Sequence, residues 1–291
     1  MKPFVKWAGG KSRLLKDIED LLPVDFDKWE DVTYVEPFVG GGAVLFHMLT
    51  CHPNIKNVII NDINTTLINV YKIIQNDPTE LITLTKCLES EYLSLDYNHK
   101  KEYYYKIRKL YNTEDMTINR LAYFLFLNQT CFNGLYRENK KGAFNVPHGN
   151  YKKPNICHEE DIWRAHNALK NVEILNGDFR NVGMDLNVRN VFFYFDPPYK
   201  PINETSSIFT SYDRTGFNDA KLTVLKEMCA EIHKKGWHFM MSNSDSYKKN
   251  GTSYFADYFH EYNLYKVDVT RTINPYNAFQ RHMKEIIITN Y

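Results

Sequence analysis

The sequence is poor in the features that would direct it out of the cytoplasm. Its five cysteines are an odd number, widely scattered and without a C-x-x-C pair, which argues against a disulfide framework and a cysteine zinc site. No run of eighteen apolar residues occurs, and the first residues contain no apolar core of the kind that a secretion signal needs. We therefore expect a cytoplasmic protein without a membrane segment.

An excess of charge is also missing, since 36 Lys and Arg stand against 35 Asp and Glu and leave a net charge of +1. The whole chain is thus not attracted to polyanions, and any nucleic-acid surface must be local. Hydrophobic residues make up 43% of the chain and aromatic residues 15%. This composition predicts a globular protein with a substantial core and argues against disorder.

Short apolar, β-branched or aromatic runs alternate with helix-like segments over much of the chain. Such alternation predicts an α/β fold with a mostly parallel sheet covered on both faces. The predicted strands span residues 33–35, 58–60, 172–175, 191–195, 238–241, 262–269 and 285–289. The predicted helices among them span residues 12–22, 43–49 and 218–235. The last two strands could pair antiparallel.

Residues 65–156 have a different pattern, in which helical periodicity is followed by a polar stretch. The helical segments span residues 66–75, 78–93, 101–111 and 118–129. Because this block separates the second and third predicted strands, we expect it to form an inserted, mainly helical domain. The catalytic domain would then be discontinuous and consist of residues 1–64 and 157–291.

A glycine-rich turn, residues 36–42, joins the first strand to the helix that follows. Glycines let a ligand approach the backbone, and the start of the helix supplies free N–H groups. A purely structural turn is the alternative. Asp62 favours a ligand site, because it ends the next strand about twenty residues later, where nucleotide-binding folds place a carboxylate on ribose hydroxyls. Since the turn contains no lysine, an uncharged or cationic adenosyl ligand fits better than a phosphate.

The strand at residues 191–195 ends in Asp196, Pro197, Pro198 and Tyr199. A carboxylate at the C-terminal edge of a strand lies where open α/β sheets place their sites. The two prolines withhold N–H donors, so the local backbone offers only carbonyl acceptors. This set suits a substrate amino group, with the Tyr199 ring available to stack on a base. The alternative is a structural Pro-Pro turn.

Four motifs, kept in order over nearly the whole chain, carry a family resemblance. They are KWAGGK at residues 6–11, the glycine turn, NGLYR through FNVP at residues 133–147, and DPPY at residues 196–199. The order of glycine turn, insertion and DPPY is that of the alpha group of amino-methyltransferases, and the chain resembles the Dam and DpnM-like DNA adenine N6-methyltransferases. The resemblance implies a Rossmann-like sheet that binds S-adenosylmethionine and yields S-adenosylhomocysteine, without a metal.

The resemblance also implies a flipped adenine in double-stranded DNA as the substrate, with GATC as the favoured target. We expect a direct transfer, without a covalent enzyme intermediate, because the sulfonium already makes the donor reactive and the protein need only supply position and acceptors. Nothing in the sequence demands more than a monomer, although a dimer on DNA stays open. The family suggests a bacterial cytoplasmic or phage-encoded enzyme.

The resemblance assigns roles to two groups of residues in the catalytic domain, one that contacts the methyl donor and one that carries catalysis. The residues expected to contact the methyl donor are Trp7, Ala8, Gly9, Gly10, Lys11, Glu36, Pro37, Phe38, Gly40, Gly42, Asp62, Ile63, Asp178, Phe179 and Asp196. The residues expected to carry catalysis are Asp196, Pro197, Pro198 and Tyr199. Within the first group, Trp7 and Lys11 would lie against the methionine part, Asp62 on the ribose, and Asp178 and Phe179 at the adenine.

The DNA-binding residues would lie mainly in a basic hairpin, residues 130–155. They are expected to be Lys6, Phe132, Asn133, Gly134, Leu135, Arg137, Asn145, Pro147, Tyr151 and Lys152. This stretch carries five Lys and Arg residues but only one acidic residue, a composition typical of a DNA contact. Arg137 could make a paired contact to guanine, and Leu135, Pro147 and Lys6 match base-reading positions. A solvated loop is the alternative.

At three positions the basic hairpin departs from the family pattern. Phe132 stands where the family often has tyrosine, so an aromatic ring can still wedge into the base stack but a hydroxyl is lost. His148 and Asn150 replace residues that are commonly Phe and Arg, and we expect weaker phosphate contacts there.

Three other functions remain as alternatives. Methylation of RNA or of a protein glutamine is the nearest, but those relatives often carry Asn in place of Asp196 and lack the insertion. A catalytically silent DNA-binding protein on the same scaffold would not need the intact Lys11, Asp62, Asp196 and Tyr199. A nucleotide-dependent oxidoreductase would have no use for DPPY.

Overall fold

The structure, a computed structural model, describes residues 1–198, 217–244, 254–270 and 282–291. A seven-stranded sheet has the strand order β3-β2-β1-β4-β5-β7-β6. The strands are β1 Val32–Glu36, β2 Ile55–Asp62, β3 Val172–Asn176, β4 Val191–Phe195, β5 His238–Ser244, β6 Asn263–Thr270 and β7 His282–Thr289. Strands β1 to β5 pair parallel, whereas β7 is antiparallel to both β5 and β6. The predicted Rossmann-like α/β fold, with all seven strands, is confirmed.

Nine α-helices lie in the described part of the chain. They are α1 Leu15–Asp20, α2 Ala43–Cys51, α3 Thr65–Asn76, α4 Thr79–Ser94, α5 Tyr97–Thr113, α6 Ile118–Thr130, α7 Glu159–Leu169, α8 Asp219–Lys234 and α9 Tyr254–Tyr258. The sequence analysis did not predict α7 and α9. It also predicted that α5 begins at residue 101, four residues too late. The helix begins at Tyr97, because Asp96 caps it by accepting hydrogen bonds from the backbone N–H groups of Asn98 and His99.

Side chains of successive sheet residues point to opposite faces, and each face packs into its own apolar cluster. In β4, Phe192 and Tyr194 belong to the cluster shared with α2, α3 and the helices of the insertion. Phe193 and Phe195 belong to the cluster shared with α8. This period of two confirms a sheet that is covered on both sides.

The segment between β2 and β3 is mainly helical, as predicted. Helix α6 packs against α3, α4 and α5, and α3 also contacts β2, β3 and α7. The basic hairpin follows α6, and its two arms meet through isolated antiparallel bridges between Cys131 and His148 and between Glu138 and Phe144. The predicted limits of the inserted domain, residues 65 and 156, remain predictions. Among the described residues, no helix has both the length and the apolar character needed to cross a bilayer.

Candidate active site

The carboxyl ends of β1, β2, β3 and β4 meet at a cavity of about 600 Å³. Parallel strands all end on one edge of a sheet, so segments far apart in sequence converge here. All fifteen residues that the sequence analysis assigned to the methyl donor line this cavity, together with Pro197 and Pro198. Tyr199 lies outside the described residues.

The glycine turn after β1 is closed off by aromatic side chains. Gly40 has a φ of +49° and Gly42 a φ of +76°, values that L-residues with a side chain rarely adopt. A Cβ at Gly40 would lie 2.8 Å from Trp7 Cδ1, and a Cβ at Gly42 would lie 2.5 Å from Tyr71 Oη. Tyr71 also donates a hydrogen bond to the Gly40 carbonyl at 3.1 Å. Both positions therefore require glycine.

Asp62, at the end of β2, holds the glycine turn from the other side. Its carboxylate accepts hydrogen bonds from the backbone N–H groups of Gly40 at 3.0 Å and Asn64 at 2.8 Å. Asp62 also lines the cavity, so the residue that was predicted to contact the methyl donor braces the glycine turn.

Asn61, which the sequence analysis did not single out, ties three strand ends together. Its buried side-chain amide donates to the carbonyls of Pro37 and Gly177, each at 3.0 Å. The loops after β1 and β3 are thus bonded to the residue beside Asp62. In the sequence, the only indication of this role was that Asn61 directly precedes Asp62, a residue predicted to contact the methyl donor.

An ion pair that was not predicted joins the N-terminal segment to the end of β4. Lys11 Nζ lies 2.5 Å from Asp196 Oδ1 and also donates to the Gly9 carbonyl at 3.0 Å. The Lys11 side chain is 3% exposed and that of Asp196 is 22% exposed. Charge-assisted bonds of this kind are strong and orient the carboxylate. Lys11 therefore bonds the carboxylate that the sequence analysis considered catalytic.

Glu36 is buried at the end of β1, where Tyr34 Oη donates a hydrogen bond to its Oε2 at 2.7 Å. Burial raises the pKa of Glu36 well above its ordinary value, the Tyr34 hydrogen bond opposes this shift, and the charges of Asp196 and Asp62 add to it. Three carboxyl groups therefore lie close together at this edge of the sheet. The shift favours the neutral form of Glu36 beside the carboxylates of Asp196 and Asp62.

The turn after β4 is bonded to β5 through Asn243, another residue that was not predicted. Its buried Nδ2 donates to the Pro197 carbonyl at 3.1 Å. Asn243 Oδ1 accepts from the Ser244 backbone N–H at 2.8 Å, which assigns the amide nitrogen to the Pro197 side. The Pro197 carbonyl is consequently held in place by a neighbouring strand.

Aromatic rings surround the far end of the cavity. Phe38 and Phe179 lie with their ring centroids 5.0 Å apart, and Phe217, which was not predicted, lies 6.1 Å from each. Burial alone would raise the pKa of the neighbouring Asp178, but hydrogen bonds from the Arg180 side chain and backbone outweigh it and lower that pKa. This end combines apolar rings with one ionised carboxylate, an arrangement that suits an aromatic ligand bearing N–H donors.

The residues predicted to bind DNA fall into two sets. Five of them meet beside the cavity, namely Lys6, Asn133, Gly134, Tyr151 and Lys152. Lys6 Nζ lies 5.0 Å from the centroid of the Tyr151 ring, and Tyr151 Oη accepts from the Asn133 backbone N–H at 3.1 Å. Gly134 packs against the Lys6 side chain. Lys6, Tyr151 and Lys152 line a second pocket of about 370 Å³. Basic and aromatic groups are therefore adjacent there.

The remaining predicted DNA-binding residues lie along the two arms of the basic hairpin. Arg137 Nε donates to Asn145 Oδ1 at 2.7 Å, which joins the arms. Phe132 and Pro147 are exposed, whereas Leu135 is half-buried against the core. The side chains of Arg137 and Asn145 are thus paired with each other before any ligand binds.

His148 does not extend toward solvent, although the sequence analysis considered it in connection with phosphate contacts. It is buried, its Nε2 lies 2.7 Å from Tyr92 Oη, and its Nδ1 lies 2.9 Å from Asn150 Oδ1. Burial lowers the pKa of His148. A neutral ring that donates from Nδ1 and accepts at Nε2 satisfies both partners. His148 therefore anchors the hairpin to α4.

The chain is similar in sequence to known proteins over most of its length. Residues 7–273 match the family model described as D12 class N6 adenine-specific DNA methyltransferase. The chain is 44% identical to a Type II methyltransferase, M.MjaIII, of Methanocaldococcus jannaschii, over 100% of this chain and 99% of that protein. It is 33% identical to a DNA adenine methylase of Vibrio cholerae, over 98% of this chain and 95% of that protein.

In the described part of the chain, no cluster of three or more His, Cys, Asp or Glu residues could hold a metal ion.

Proposed function

The chain belongs to the D12 class of N6 adenine-specific DNA methyltransferases, and from this premise we propose that it methylates an adenine flipped out of duplex DNA, with S-adenosylmethionine as the donor. The observation that carries the proposal is the pairing of two acceptors at the end of β4. Asp196 and Pro197 are adjacent in sequence and line the same cavity, and the Asp196 carboxylate and the Pro197 carbonyl are each held by a separate partner.

The cavity has the size and chemistry that the methyl donor requires. Its volume of about 600 Å³ lies within the range of roughly 300–1,000 Å³ that is typical of small-molecule sites. Gly9 and Gly177 line it, and a Cβ on either would meet no atom within 4 Å, so the backbone faces open space at both positions. The carboxylate of Asp62 would favour the positive charge of a sulfonium.

The residues present suggest which part of the donor each would hold. Asp62, which ends β2 and lines the cavity, would accept hydrogen bonds from ribose hydroxyls. Asp178 would accept from the adenine amino group, with Phe38 and Phe179 against the ring. Trp7 would cover the methionine part. When bound, the donor supplies an electrophilic methyl group on its sulfonium.

Asp196 and Pro197 would activate the nucleophile by accepting its two N–H groups. The adenine amino nitrogen is a poor nucleophile because its lone pair is delocalised into the ring. Hydrogen bonds to the Asp196 carboxylate and to the second lone pair of the Pro197 carbonyl would draw this nitrogen toward tetrahedral geometry. The nitrogen would then be aligned for direct attack, and it would lose its proton after it becomes cationic. Lys11 would keep Asp196 ionised and correctly oriented.

Base flipping and recognition would depend on the basic hairpin. Phe132 is 47% exposed, although the ring is large and apolar, so it is available to wedge into the space that a flipped base leaves. Arg137 retains N–H donors beyond the Nε that Asn145 binds, and a guanidinium can read the major-groove edge of guanine. Because Leu135, Arg137 and Pro147 are all present, GATC is the target that we propose.

The proposal can be tested with labelled S-adenosylmethionine and two duplexes, one that contains GATC and one in which the site is scrambled. We expect methyl incorporation into the first duplex only, at N6 of the adenine. Incorporation into neither duplex, by protein that binds the donor, would overturn the proposed function. Equal incorporation into both would overturn only the GATC specificity.

A further inference from the structure

Helix α5 carries a stripe of side chains that bind the backbone of the basic hairpin. Lys100, Tyr104, Arg108 and Asn112 recur at every fourth residue, and residues four apart are neighbours on one face of an α-helix. The stripe extends over ~18 Å, at a rise of about 1.5 Å per residue. All four side chains hydrogen-bond to backbone groups of residues 144–152.

The centre of the stripe holds a single carbonyl from two directions. Tyr104 Oη donates to the Val146 carbonyl at 2.8 Å, and Arg108 Nη1 donates to the same oxygen at 3.0 Å. Both lone pairs of this oxygen are therefore engaged. Tyr104 is buried and the Arg108 guanidinium stacks on Tyr105 at 4.6 Å, so neither donor can readily follow a displaced carbonyl.

The two ends of the stripe hold the hairpin at further points. Asn112 clamps Phe144 by donating from Nδ2 to its carbonyl at 3.0 Å and by accepting its N–H at Oδ1 at 2.8 Å. Lys100 Nζ donates to the Lys152 carbonyl at 3.0 Å. Residue numbers along the hairpin arm, from Phe144 to Lys152, increase as those of their partners in α5 decrease, so this arm runs antiparallel to α5. All these bonds go to backbone groups, so they occupy none of the hairpin side chains.

The second arm of the hairpin takes its position from the first. Asn145 donates its N–H to the Arg137 carbonyl at 3.0 Å, and its side chain holds Arg137 Nε. The Phe132 N–H donates to the Pro147 carbonyl at 2.9 Å. Asn145 and Pro147 flank Val146, so the position at which α5 holds that residue determines where Arg137 and Pro147 lie.

We propose that α5 positions the hairpin for sequence discrimination, with Tyr104, Arg108 and Asn112 as positioning residues that need not touch DNA. This proposal rests on the proposed function. Base reading requires side chains within about 0.5 Å of their productive geometry, whereas phosphate contacts tolerate larger displacements. Loosening this arm therefore relaxes discrimination between sites more than it weakens binding to DNA.

The test compares two double variants in the same helix. Tyr104→Phe with Arg108→Met removes both donors to Val146 while it preserves most of the packing. Tyr103→Phe with Lys106→Met is the matched control, because the Tyr103 hydroxyl bonds Glu91 and Lys106 lies over the Tyr103 ring, both away from the hairpin. Each protein methylates the same plasmid, and sequencing locates N6-methyladenine at the sites that the wild type prefers and elsewhere.

We expect the ratio of preferred to other sites to fall about tenfold in the first variant and to stay within about twofold of the wild type in the control. Binding of S-adenosylmethionine should be unchanged in both. Thermal unfolding shows whether each variant is folded. If the first variant does not fold, Asn112→Ala, which removes the clamp at the end of the stripe, takes its place and should relax discrimination in the same direction.

An unchanged ratio in a folded variant, or an equal loss in the control, would overturn the positioning role but leave the proposed function standing. A wild-type protein that yields no methyladenine on the plasmid would overturn both. An equal loss of activity at all sites, with the ratio kept, would mark α5 as merely structural.

Discussion

The cavity and the basic hairpin are held in place in different ways. The cavity is built from the ends of four parallel strands, and its side chains are braced mainly by one another, as in the pair of Lys11 with Asp196. The hairpin has almost no ladder of its own, and side chains from α5 hold its backbone. A rigid sheet thus supports the proposed chemistry, whereas an irregular segment supports the proposed recognition. Substitutions in one region should therefore leave the function of the other intact.

The largest effect that separates the two regions is expected from Asp196→Ala. Removal of the carboxylate should lower turnover by roughly 10³-fold, since a positioned acceptor of this kind contributes about 10²–10⁴-fold. Lys11 also loses its bond to that carboxylate. Donor affinity and site preference should change little. Single-turnover methylation, with donor binding measured in parallel, checks this. Loss of the folded state would instead mark Asp196 as structural.

The converse prediction concerns Arg137→Ala in the hairpin. Discrimination at one base pair should relax by about 1–3 kcal/mol, while turnover on the preferred site falls less. Rates on duplexes with single base-pair changes measure this, with Lys140→Ala as a control for charge in the same hairpin. A uniform loss on every sequence would contradict base reading and indicate a phosphate contact.

A smaller effect is expected from Asn243→Ala. The Pro197 carbonyl loses one hydrogen bond, worth about 0.5–1.5 kcal/mol, so the rate of the chemical step should fall roughly 2–10-fold with site preference unchanged. Asn54→Ala, which removes amide-to-carbonyl bonds to Phe26 and Trp29 far from the cavity, is the control. Equal effects of the two substitutions on the chemical step would show that Asn243 has no special role.

The smallest effect is a pH dependence confined to the hairpin. Because burial lowers the pKa of His148 from its ordinary value of 6.5, the folded state prefers the neutral ring. The resulting stability is present above about pH 6.5 and declines as the pH falls below that value, where the unfolded chain takes up the proton more readily. Hydrogen exchange of the hairpin amides should therefore quicken as the pH falls, after correction for intrinsic rates. His148→Phe should remove this dependence, and its persistence in that variant would assign it to another group.

Much of the fold followed from patterns that are local in sequence. All seven strands were predicted because each is a short apolar run bounded by turn residues, and most helices because their apolar face repeats at helical spacing. Helix α7 was missed since its buried face has only Ile162, Ala165 and Leu169. Predicted residues such as Trp7, Asp62 and Asp178 do line one cavity, although their roles toward a ligand remain predictions.

The partners of these residues could not be predicted in the same way. Lys11 bonds Asp196 across 185 positions, and Asn243 bonds Pro197 across 46. Neither polar residue belongs to a periodic pattern that marks it. His148 was considered in connection with phosphates because it departs from the family pattern, but Tyr92, 56 residues away, holds it in the interior.

The sequence by itself determined the strands, most of the helices, the glycine turn, the acceptor-rich end of β4 and the family, because each depends on residues that are adjacent or regularly spaced. Only the tertiary structure decided which side chains brace the two acceptors and how α5 holds the hairpin. These arrangements depend on hydrogen bonds between distant segments, whose geometry exists only once the sheet and the inserted helices have packed.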